Sequence, residues 1–74
     1  MADYRQVFGR NVREARKRLA LSQEELAFKA EIDRTYISGI ERGIRNPSLD
    51  LIVRLAAQLN TSPAALLLRP GEKK

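Results

Sequence analysis

The chain contains no cysteine, which excludes disulfides and thiolate metal sites. It contains no histidine either, which removes the commonest metal ligand and the commonest general base. Tryptophan is absent, and no apolar run approaches the roughly 20 residues of a membrane span. No segment reads as a signal peptide. These absences predict a cytoplasmic protein that is not an enzyme and needs no cofactor or metal. Acidic charge is also in the minority: 9 Asp and Glu stand against 14 Lys and Arg, a net charge of +5. That balance suits a polyanionic partner such as nucleic acid. It is uneven too, because Arg5, Arg10, Arg13, Arg16, Lys17 and Arg18 face a lone Glu14. An anionic membrane surface is the other reading of a basic first helix. The apolar face of that helix is needed for the core, however, and it has no Trp anchor.

A length of 74 residues allows one small domain. Its single core is marginal, so dimerisation is an expected source of stability. What is present is helical throughout, and the fold class predicted is all-α, a compact five-helix domain. Asp3 caps a first helix, in which Phe8, Val12, Ala15 and Leu19 recur on one face. Ser22 and Glu25 form a capping box ahead of Leu26 and Ala30. Glu31 and Ile32 make a tight connection to Asp33, the N-cap of a third helix that ends at Gly43. "IRNP" is a loop, and Ser48 caps a fourth helix striped by Ile52, Leu55, Ala56 and Leu59. Ser62 and Pro63 open a fifth. The domain is expected to span residues 1–69, with 70–74 a flexible charged tail.

The third helix carries the functional signal. With about 100° per residue, Ile37, Ile40 and Ile44 fall on one side, with Asp33 and Glu41 beside them. Arg34, Thr35, Ser38, Gly39 and Arg42 fall on the other. A plain solvated face favours Glu, Lys, Gln and Ala; this one uses Thr, Ser and Gly. Gly39 costs about 1 kcal/mol relative to alanine inside a helix. Small side chains let another surface come close. A DNA major groove, about 12 Å wide, is one such surface, and a protein packing on Gly39 is another. A short capped helix, a tight connection and then this helix match the helix-turn-helix layout over about residues 22–42.

"LSQEELAFKAEIDRTYISGIERGIRNPSLDLIVRLAAQLNTSPAALL" resembles the Xre/Cro and lambda-repressor type of helix-turn-helix protein over roughly residues 5–68. "DRTYISGIERGIRNPS" is especially similar to controller proteins of restriction–modification systems. The resemblance implies a transcriptional regulator, a homodimer on a palindromic operator of double-stranded DNA, associated with the nucleoid and with no small-molecule ligand. Carried over by position, Arg34, Thr35 and Ser38 would contact bases. Ser22, Gln23, Tyr36, Arg42, Arg45 and Asn46 would hold the DNA backbone. Arg16 and Glu41 would form a partly buried ion pair between the first and third helices. Family members that activate transcription present acidic residues to RNA polymerase, which points to Glu24 and Glu31. The family's turn often has glycine where this chain has Glu31; at positive φ a glutamate there costs about 1–2 kcal/mol.

Three assignments come from pattern alone. Leu66, Leu67 and Leu68 are adjacent on a very short helix, and one face cannot bury all three. A homodimer interface is the economical explanation, with collapse onto the fourth helix the alternative. Phe28 lies away from the expected core, either in that interface or under the first helix. Glu24, Glu25, Glu31 and Asp33 cluster, but their spacing suits no metal. The rival function is an antitoxin-type protein-interaction module that also binds DNA.

Overall fold

The computed structural model describes residues 3–72. Five helices follow one another: α1 (Tyr4–Arg18), α2 (Gln23–Ala30), α3 (Arg34–Glu41), α4 (Leu49–Gln58) and α5 (Pro63–Leu66). Each begins on a polar cap whose side chain accepts a backbone N–H of the first turn: Asp3, Ser22, Asp33, Ser48 and Ser62. Ser22 and Glu25 close the full capping box. Part of the expected tail, residues 73 and 74, lies outside the described residues; just before it, Arg69 Nη2 donates to Glu72 at 2.7 Å.

The first four helices end alike. Ala20, Glu31, Gly43 and Asn60 adopt left-handed backbone, with φ of 56°, 59°, 77° and 56°. In each case the next residue's N–H reaches back to the helix: Leu21 to Arg16, Ile32 to Ala27, Ile44 to Gly39 and Thr61 to Ala56. This is the Schellman closure, which satisfies carbonyls that the helix leaves unpaired. Three of these ends lead within two residues to the next cap, Ser22, Asp33 or Ser62.

The core gathers Phe8, Val12, Ala15, Leu26, Ala27, Ala30, Ile37, Ile40, Leu55, Ala56, Leu59 and Leu66. Helix α3 packs on α1 and α2, α2 also packs on α4, and α5 packs on α1 and α4. The α1–α3 seam closes at Gly9. A methyl group there would run into the main-chain carbonyl of Ile40 and would stand 3.1 Å from that of Glu41. Asn11 Nδ2 donates to the carbonyls of Leu66 and Leu68, both at 2.8 Å, and so fastens the end of α5 to α1.

Three expectations are corrected. Ile44 is 59 % exposed, not core: α3 ends at Glu41, so helical spacing no longer applies three residues later. Leu19 is 38 % exposed for the same reason, as the cap after α1. Leu66 is 2 % exposed within the single chain, so it is not available to a dimer interface; Leu67 and Leu68 remain partly open.

Candidate nucleic-acid interface

The inner face of α3 is fixed by charge as well as by isoleucine. Arg16 Nε donates to Glu41 Oε2 at 2.7 Å, and Arg16 Nη2 to Glu41 Oε1 at 2.9 Å. This is the bidentate fork that guanidinium geometry favours. The two side chains are only 11 % and 4 % exposed. Arg16 Nη1 donates to the Leu21 carbonyl at 2.8 Å, and Gln23 Nε2 donates to Glu41 Oε1 at 3.1 Å. Glu41 therefore ties the end of α3 to α1 and to the start of α2. The hydrogen bonds to Glu41 raise the Arg16 pKa above its ordinary value, with desolvation opposing them. No buried side-chain polar atom among the described residues lacks a partner.

The entry to α3 is equally defined. Asp33 Oδ1 accepts the Thr35 N–H at 2.7 Å, and hydrogen bonding to Thr35 holds the Asp33 carboxyl below its usual range. Glu25 Oε1 accepts the Ser22 N–H at 2.7 Å, which lowers the Glu25 pKa. That bond occupies the Ser22 N–H, and the Ser22 hydroxyl oxygen accepts from Glu25 N–H at 3.0 Å. Ser22 therefore has only its hydroxyl hydrogen left for an outside acceptor.

On the outer face Arg34, Thr35 and Arg42 are exposed, and Ser38 is half-buried. Arg45 and Asn46 are exposed in the following loop, and Tyr36 is half-buried. The structure thus leaves these residues exposed or half-buried, with Gln23 at the start of α2 tied to Glu41 at the end of α3. It does not present Gly39, which is buried. The space that Gly39 leaves is taken by the side chain of Arg45, whose Cγ would stand 2.8 Å from a methyl at position 39. The guanidinium of Arg45 lies over the Tyr36 ring, 5.1 Å from its centroid. Gly39 thus makes room for a neighbouring side chain, where helical spacing placed it on the face offered to another molecule.

Glu24 and Glu31 are exposed. Glu31 keeps the left-handed turn without glycine, at φ 59°. Phe28 is 86 % exposed, so it does not pack under α1; it lines a shallow open depression with Glu24, Glu25 and Lys29. Sequence reasoning missed Gly9, Asn11 and Arg54, whose Nη1 donates to the Ala30 carbonyl at 3.4 Å from α4. Each acts across a helix–helix seam, and no spacing within one helix reveals that.

A helix-turn-helix family profile matches residues 12–66. Control protein C.BamHI of Bacillus amyloliquefaciens is 48% identical over 64 residues, covering 85% of this chain and 79% of the relative. The crystal structure of the restriction–modification controller protein C.AhdI from Aeromonas hydrophila superposes with a TM-score of 0.80 at 47% identity, covering 84% of this chain and 94% of that one. The biofilm regulator SinR in complex with DNA superposes with a TM-score of 0.79 at 35% identity, covering 82% of this chain and 98% of that one. The five capped helices and the buried brace behind α3 accordingly belong to a helix-turn-helix transcriptional regulator, not an enzyme, and the chain is a member of that family similar to restriction–modification controller proteins.

Proposed function

We propose that the protein binds double-stranded DNA sequence-specifically as a homodimer, each subunit placing α3 in a major groove of a palindromic operator. The observation that carries this reading is the division of α3 into two faces. One is locked by Ile37, Ile40 and the Arg16–Glu41–Gln23 network; the other leaves Arg34, Thr35 and Arg42 exposed. Arg34, Thr35 and Ser38 read bases, since a guanidinium pairs bidentately with guanine and short polar side chains meet base edges. Gln23, Tyr36, Arg42, Arg45, Asn46 and the Ser22 hydroxyl hold phosphates and so set register. Half-sites then lie about 10–10.5 bp apart.

Leu67 and Leu68 supply the dimer contact, joined by Leu49 and Val53, which are 73 % and 50 % exposed and four residues apart on α4. Bound over a promoter, the dimer represses by occlusion. Bound beside one, it activates through Glu24 and Glu31 facing RNA polymerase. Its place in the cell is the nucleoid, by virtue of the DNA it holds.

The test is selection of bound fragments from random duplex DNA at a stated salt concentration, followed by titration of the selected duplex. Arg34→Ala should cost about 1–3 kcal/mol on that duplex and relax preference at one position. Arg45→Ala should weaken all duplexes alike and reduce the salt slope by about 1. Recovery of no preferred sequence, or equal losses on selected and random duplex for Arg34→Ala, would overturn the base-reading role.

A further inference from the structure

A glycine inside an eight-residue helix weakens that helix. Backbone conformation does not require it at position 39, because the left-handed glycines are Gly43 and Gly71. What requires it is space. A methyl at position 39 would stand 2.8 Å from Arg45 Cγ, 3.1 Å from Nε and 3.4 Å from Cδ. Three successive atoms of one side chain thus rest on bare backbone, and any Cβ pushes that side chain off.

The seat continues into the Tyr36 ring, over which the Arg45 guanidinium lies at 5.1 Å. Stacking uses the flat face of a guanidinium and leaves its in-plane N–H groups pointing outward. Among the described residues Arg45 forms no ion pair. The side chain is therefore seated at its stem with its cationic end over the Tyr36 ring, and no ion pair among the described residues occupies its donors. An arginine on an exposed loop otherwise loses much rotamer freedom on binding, and ordering it beforehand removes that cost from association.

We propose that Gly39 is a positioning residue for DNA binding: it seats the Arg45 stem so that the exposed guanidinium already lies over Tyr36 before any phosphate arrives. The proposal rests on the DNA-binding reading above and adds a second task to a helix position that touches no DNA itself. Both short elements, α3 and the loop after it, then act as one pre-formed surface.

The experiment is a double-mutant cycle on the selected duplex, with full-length protein. Gly39→Ala should weaken binding by about 2- to 10-fold, the effect of releasing one ordered side chain. It should leave the melting midpoint unchanged or higher, because alanine favours the helix. Placed on an Arg45→Ala background, it should have no further effect on affinity. The Arg45 side-chain protons should show upfield ring-current shifts in the free wild-type protein, absent in Gly39→Ala. Loss of affinity by Gly39→Ala that persists at full size in the Arg45→Ala background would overturn the proposal, as would unchanged affinity for Gly39→Ala when Arg45→Ala binds weakly. If Arg34→Ala and Arg45→Ala both leave binding intact, it is the DNA-binding reading itself that fails.

Discussion

Two turns in this molecule follow the same backbone path and lead into helices held by different chemistry. Between α2 and α3, left-handed Glu31 leads through Ile32 to the cap Asp33; between α4 and α5, left-handed Asn60 leads through Thr61 to the cap Ser62. Both close with the same reach of an N–H back over the helix end. Beyond the first turn, at the far end of α3, the fastening is ionic: Glu41 receives Arg16 and Gln23, and Arg16 also grips Leu21. Around the second it is apolar, with Leu59 and Leu66 in the core and the single amide of Asn11 on two carbonyls. The path is a property of helix ends. What differs is how the following helix is held, and the helix with the exposed polar face is the one that adds an ion pair to its core isoleucines.

That contrast can be broken from either side. The largest effect is expected from Glu41→Ala, which strands a largely buried guanidinium and should cost about 3 kcal/mol; an unchanged denaturation midpoint would remove the ionic half of the comparison. Gly9→Ala should follow at about 2–3 kcal/mol, because its methyl meets a main-chain carbonyl of α3 that cannot rotate away. Urea titration measures it, and the loss should come with faster amide exchange in α3 ahead of α5. Asn11→Ala should cost about 1–2 kcal/mol by leaving the Leu66 and Leu68 carbonyls unpaired, with exchange raised at α5 instead. The smallest change has the opposite sign. Glu31→Gly relieves a left-handed glutamate and should add about 1 kcal/mol; a lowered midpoint would mean that the Glu31 side chain contributes more than its backbone costs.

The helix starts were legible in the sequence because capping is a matter of three or four adjacent residues. Ser22 with Glu25, Asp33, Ser48 and Ser62 all stand where local chemistry placed them. The core stripes were legible wherever the helix continued under them. Ile44 was misassigned because periodicity was carried past a helix that stops at Glu41. Leu66 was offered to a partner because three adjacent leucines look like too many for one short turn, whereas the chain buries one fully and shelters the other two. Gly39 illustrates the deeper limit. Its smallness was visible, and its position on α3 was right, but what fills the space is a side chain six residues onward that turns back over the helix. Such contacts depend on the path of a loop, which no helical period encodes.

The seam at Gly9 has a consequence for the proposed reading of sequence by α3. It meets α3 through the carbonyls of Ile40 and Glu41, groups that every amino acid supplies, while Arg34, Thr35 and Ser38 lie on the other side of the helix. The docking of α3 and its proposed base-reading face thus share no side chain at that seam. Under the base-reading role proposed for them, residues 34, 35 and 38 could be rewritten as a set while the rewritten helix returns to the same berth against α1, so that specificity would diverge on an unchanged scaffold.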